Sequence, residues 1–119
     1  MKTDLSYLRE MSGGNQGLIL EMIDIFKNQV VEFAEGMEQY LKNKEYEKLG
    51  KLAHKAKSSI SIMGLSELAT QLKSLELMAC AGTDVEKYPV IIEKFKKETH
   101  EAVTELDEVT KNLELYFKN

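Results

Sequence analysis

The residue types best able to do chemistry in this sequence gather around His54. Placed on a helix at about 100° per residue, Leu49, Leu52, Ala53, Ala56, Ile60 and Met63 fall on one side and His54 almost opposite them. The imidazole is therefore expected to face water. Its own face carries Gly50 one turn before it, Ser58 one turn after, Ser61 two turns after, and Lys57 at the i+3 neighbour position. Small residues above and below the ring would let a partner approach closely, and the lysine can supply positive charge to anything anionic attached to the ring. A glycine inside a helix costs roughly 1 kcal/mol against alanine. Open access to His54 is a reason for Gly50, which with the adjacent Lys55 is assigned to partner docking.

The order His54, Lys57, Ser58, Ser59 and Gly64, after Leu52-Ala53 and before Leu65, Leu68, Leu72, Leu75 and Glu76, resembles the histidine-containing phosphotransfer (HPt) domain of bacterial two-component phosphorelays. The signature of that family is His-x-x-Lys-Gly-(Ser/Ala)-x-x-x-x-Gly. Ser58 stands where glycine is usual, and as a small residue it still leaves the face open. The pattern extends over most of the chain, including Asp4-Leu5-Ser6-Tyr7-Leu8 and the Gly13-Gly14-Asn15 turn.

The resemblance implies a phosphocarrier. His54 would accept a phosphoryl group from the aspartate of a response-regulator receiver domain, or from a hybrid sensor kinase, and pass it to the aspartate of another receiver. A neutral ring nitrogen is a competent nucleophile near physiological pH, and the phosphoramidate it forms stays reactive enough to pass the group on. Transfer then requires in-line positioning and charge stabilisation. Lys57 supplies a cation, and the hydroxyls of Ser58 and Ser61 can donate hydrogen bonds to phosphoryl oxygens. In the family a polar residue on the facing helix often orients the imidazole, and Glu76 occupies about that position; an ordinary solvent-facing glutamate is an equal reading.

No glycine-rich nucleotide loop, P-loop or magnesium-holding carboxylate cluster occurs, so the chain is expected neither to bind ATP nor to phosphorylate itself. Magnesium and the acidic pocket would belong to the receiver. No cofactor and no metal are expected: His100 lies on another helix, and no histidine or carboxylate accompanies His54 at i+4. His100, among Lys97, Glu98 and Glu101, reads as a surface residue.

The 119 residues with 43% hydrophobic content fit one domain, 1–119, able to bury about two-thirds of its unfolded surface without staples. Cys80 is the only cysteine, which excludes an internal disulfide framework. No leader or long apolar run is evident, so a cytoplasmic protein is expected, without membrane contact and as a monomer. The net charge of −4 argues against nucleic acid as a partner. Charge is uneven, however. Lys42, Lys44, Lys48, Lys51, Lys55 and Lys57 stand against Glu45 and Glu47, a balance that suits phosphate or an acidic surface, though for the first three a solvated lysine face is the preferred reading.

Five helical segments must position these residues. Residues 3 to 10 form a short turn capped by Thr3, with Leu5, Leu8 and Met11 covering one end of a bundle. Ser12-Gly13-Gly14 breaks it, and Asn15 caps a long helix over about 16 to 42 whose stripe runs Ile19, Met22, Ile23, Phe26, Val30, Phe33, Met37, Tyr40, Leu41. Leu20 and Val31 lie off that stripe. A hairpin turning near Lys44 brings Val31 level with His54, as an apolar contact for a docking partner or as a residue covered by a neighbouring segment. The His54 helix runs from about 45 to 63 and ends at Gly64, where the chain turns left-handed. A fourth helix reaches Ala81, and reflecting the hairpin about Gly64 puts Glu76 level with His54. After Gly82-Thr83-Asp84 the last helix spans about 87 to 117, with Pro89 in its first turn and a stripe from Tyr88 to Phe117 whose tail overhangs or meets another chain. The economical arrangement is all-α: an antiparallel four-helix bundle with a short N-terminal capping helix.

The leading expectation is thus a phosphorelay carrier. Its rival is a non-catalytic helical adaptor that binds receiver domains without accepting phosphate.

Overall fold

A computed structural model describes residues 3–113 and 115, and among them the helices are α1 (Ser6–Ser12), α2 (Gln16–Lys42), α3 (Tyr46–Ile62), α4 (Ser66–Ala81) and α5 (Tyr88–Lys111), with no strand. The side chain of Asn15 accepts from the backbone N–H of Leu18 at 3.0 Å and starts α2. Ile19, Ile23, Phe26, Val30, Phe33 and Met37 then recur at three- and four-residue steps and are all buried. Leu20 and Val31 remain exposed, so no segment among the described residues covers them.

Contacts between the helices fix their directions. Gln29 meets Ser59 and Gly36 meets Leu52, so α2 and α3 run antiparallel. Gly50 meets Cys80 and His54 meets Glu76, so α3 and α4 do as well. Lys27 pairs with Asp107 and Glu38 with Lys96, which closes the ring between α2 and α5. The four long helices therefore form an antiparallel bundle around one buried cluster, in which Phe95, Leu49, Ile60, Leu72, Leu75 and Leu106 are fully enclosed.

α1 caps the bundle as expected, through the fully buried Leu8, but its first turn differs from the sequence reading. Thr3 is not its N-cap. The backbone N–H and hydroxyl of Thr3 both donate to Glu105 on α5 at 3.1 Å, while Asp4 Oδ1 accepts from the Ser6 N–H just ahead of the helix. Met11 points to solvent instead of into the core. The Asp4 N–H also donates to the Met63 carbonyl, so the segment entering α1 is stitched to the end of α3. Gly64 serves both contacts. It has φ of 75°, and a Cβ there would lie 2.4 to 2.6 Å from Asp4 atoms.

A 3₁₀ turn at Val85–Lys87, not foreseen in the sequence, precedes α5. Pro89 lies in the first turn of α5, and the Tyr88 hydroxyl is set between the carbonyls of Met78 and Thr83, which share its one proton, pinning the α4–α5 connection. Burial raises the Tyr88 pKa, with lesser contributions from Asp84 and neighbouring groups. α5 ends at Lys111 with Leu106 and Val109 still buried, so the helix packs on the bundle to that point, and most of the tail expected to overhang or meet another chain lies outside the described residues. Phe117 lies outside the described residues. No helix among the described residues is long and apolar enough to cross a membrane.

Candidate functional site

The α3–α4 pair shares the most extensive contact in the bundle, and small residues are the reason. Gly50, Ala53 and Ala56 line the buried side of α3. Gly50 does not flank an open face. It is buried, and a Cβ at this position would lie 2.6 Å from Cys80 Sγ and 3.0 Å from both the Cys80 nitrogen and the Glu76 carbonyl oxygen. Its missing side chain lets α4 approach α3, and this corrects its assignment to partner docking. Gly50 lies about 40° past the solvent-facing direction on the α4 side of the helix wheel, which is where the neighbouring backbone runs.

That approach brings Glu76 to His54. The His54 side chain is 64% exposed, and its Nδ1 lies 2.9 Å from Glu76 Oε2. The Glu76 side chain is only 17% exposed, and its other oxygen, Oε1, is buried with no hydrogen-bond partner among the described residues. Two ammonium groups stand near Oε1 instead: Lys57 Nζ at 3.5 Å and Lys73 Nζ at 3.9 Å. Burial pushes the Glu76 carboxyl up, but the hydrogen bond and charge of His54 and the charges of Lys73 and Lys57 outweigh it, and the pKa lies below the ordinary glutamate value. The carboxylate is ionised at neutral pH. Because it only accepts, Glu76 holds a proton on His54 Nδ1, so that in the neutral ring the lone pair is on Nε2, the nitrogen directed away from Glu76.

The other predicted residues divide cleanly. Lys57 is largely buried along its stem and joins the His54–Glu76 cluster, whereas Ser58 and Ser61 are exposed on the same helix face as His54, and Lys55 is exposed beside it. Val31 does not belong to the site. It is 55% exposed, but it lines a groove between α2 and α5 with Lys27, Ala34, His100 and Val103, on the side of α2 away from α3. Reflecting a hairpin gives the level of a residue and not its azimuth. His100 is on the surface as expected.

Three features were not found from the sequence. Lys73 joins the cluster from α4. The Ser59 hydroxyl donates to Gln29 Oε1 at 2.7 Å and locks α3 onto α2. Ile25 and Leu18, on the same side of α2 as Gln29, leave 49% and 40% of their surfaces exposed. The first had a signal: the reflection that pairs Glu76 with His54 also sets Lys73 level with Lys57.

A bundle of this kind, with a water-facing histidine and a lysine one turn on, is the arrangement of the HPt domain. The Hpt domain family matches residues 21–114, and the chain belongs to that family. Among curated proteins it is similar to the phosphorelay intermediate protein YPD1 of Candida albicans, at 30% identity over 66 residues. That match covers 56% of this chain and 36% of the relative's length, and it extends the likeness to a fungal protein. No solved structure matches the chain.

Proposed function

We propose that this protein is a phosphorelay carrier whose Nε2 atom of His54 accepts a phosphoryl group from a receiver-domain aspartate and hands it to a second receiver aspartate. The observation that carries this reading is the 2.9 Å contact between Glu76 Oε2 and Nδ1 of an otherwise exposed ring.

The contact does three things for the reaction. It holds the ring plane, which satisfies the positional demand of in-line transfer. It sets the tautomer, so that the Nε2 lone pair points at an incoming phosphorus. It also compensates the product: as the Nε2–P bond forms and the aspartyl C–O–P linkage breaks at phosphorus, the aspartate leaves with the electron pair, and the ring retains its Nδ1 proton and becomes cationic beside Glu76. No proton has to move. The return step reverses these changes, with the second aspartate oxygen attacking and Nε2 recovering its lone pair. Lys57 supports the transferring oxygens, with Ser58 and Ser61 as hydroxyl donors on the same face.

The docking face is α3 around His54. Lys55 and Lys51 offer charge to an acidic receiver surface, and Leu18 and Ile25 provide the apolar rim that Val31 does not. We take the carrier to lack autokinase activity and to work as a cytoplasmic monomer with receiver domains or a hybrid sensor kinase.

The test is incubation with a receiver domain phosphorylated on its aspartate. Wild type is expected to acquire an acid-labile, base-stable phosphate, and His54→Gln to acquire none. Label persisting in that variant would refute the site. Full biological output from the same variant would instead favour an adaptor that binds receivers without taking phosphate.

A further inference from the structure

Glu76 creates an electrostatic difficulty for a phosphate carrier. Its carboxylate lies against both the ring and Lys57, and one carboxylate cancels one ammonium. Before transfer, while the ring is neutral, Glu76 and Lys57 alone offer no net charge to a phosphoryl group bearing about −1.5 to −2. A neutral amide in place of Glu76 would not have this effect.

Lys73 changes the balance. It projects from α4, one turn before Glu76, and places a second ammonium 3.9 Å from the same Oε1 that Lys57 approaches to 3.5 Å. Neither lysine makes a hydrogen bond to that oxygen, which is buried and without a hydrogen-bond partner among the described residues. Both are thus held by charge alone, with their N–H donors uncommitted to Glu76. The Lys73 side chain is 51% exposed on a flexible stem, so it can turn outward without opening the core.

We propose that Lys73 is the second phosphate-binding cation of this site: when His54 is loaded, Lys57 from α3 and Lys73 from α4 swing from Glu76 Oε1 to the phosphoryl oxygens and bracket them from two helices. The proposal rests on the phosphocarrier reading above. It assigns the neutralisation of Glu76 to one lysine's worth of charge, and the net positive field that receives phosphate to the other.

Phosphoramidate is a suitable probe because it needs no partner protein: the Nε2–P bond forms as its own N–P bond breaks and ammonia leaves. On the full chain, Lys73→Gln is expected to slow labelling of His54 by about five- to tenfold, as for loss of one charge contact near a protein surface. Lys73→Arg should keep most of the rate. In a Glu76→Gln background Lys73→Gln should still cost several-fold, because the ammonium acts on the phosphoryl group itself. A lysine that serves only to pair with Glu76 would lose its effect once the carboxylate is gone. Wild-type labelling at the same rate as Lys73→Gln, or a loss that vanishes in the Glu76→Gln background, would overturn the proposal while leaving the carrier reading intact. Labelling that is the same in wild type and His54→Gln would overturn the carrier reading, and the proposal with it.

Discussion

Substituting Gly50 by alanine separates two explanations of that residue by the sign of one measurement. If Gly50 only keeps the approach to His54 open, alanine removes a flexible residue from a helix interior and stabilises the protein by about 1 kcal/mol. The structure predicts the reverse. A Cβ would sit 2.6 Å from Cys80 Sγ and 3.0 Å from the Cys80 nitrogen and the Glu76 carbonyl oxygen. The exposed thiol can rotate away, but the two backbone atoms belong to α4 and move only if the helix moves. Overpacking of this kind costs about 1–3 kcal/mol, and after the gain in helix propensity a net loss of about 1 kcal/mol remains. For a chain of this size that is about 3–5 °C in Tm. Urea unfolding should show a lowered midpoint at unchanged slope. Cys80→Ala in the same background should restore only the part due to the thiol. Since Glu76 is displaced with α4, phosphoryl acceptance at His54 should fall as well. An unchanged or raised midpoint for Gly50→Ala would refute the close-approach account.

Lys57→Ala should slow phosphoryl transfer by about tenfold, while Lys44→Ala, at the α2–α3 turn, should stay within about twofold; equal effects in a stopped-time transfer assay would deny the i+3 cation a special role. Glu76→Gln should narrow its stability gap to wild type as the solution is acidified. The folded-state pKa of Glu76 is depressed, so its contribution is present in full above the ordinary glutamate value and is lost as pH falls from about 4 through the folded value. Urea midpoints of both proteins between pH 5 and pH 2.5 test this, and a gap that does not shrink would remove the ionic cluster as its source.

The helices were legible because each carries its own periodic stripe. α2 matches its expected bounds, and Asn15, Gly64 and Pro89 punctuate the chain where their backbone chemistry requires. The exposure of His54 follows from the same reasoning, since a residue set away from the buried Leu49, Ala53, Ala56 and Ile60 on α3 has only solvent left. What a single helix cannot report is which of its flanks the next helix occupies. Gly50 looks like part of an open face on a wheel drawn for α3 alone, and only the backbone of α4 makes it a contact residue. Thr3 is a good cap by type, yet it lies beside Glu105, which is remote in sequence.

Register across a tight hairpin is a different matter, and it explains why most of the candidate site could be read at all. α3 and α4 are joined by a short turn at Gly64 and pack too closely to slide, so residues pair by simple reflection: Gly50 with Cys80, His54 with Glu76, and Lys57 with both Glu76 and Lys73. The same operation applied across α2 and α3, where Gln29 meets Ser59 and Gly36 meets Leu52, sets Val31 nearer the level of Lys57 than of His54, and on the wrong side, because reflection specifies height along the bundle and leaves rotation free. Rotation is fixed on α3 and α4 by the residues that face each other at the seam, and there the glycine, the carboxylate and the lysines lie on one strip. A cluster built on the helix pair with the most extensive contact gains rigidity from that packing, and its charges act on one another at 3.5 to 3.9 Å. Changing the side chain at Gly50 is therefore a perturbation of the chemistry at His54, even though Gly50 never touches the ring.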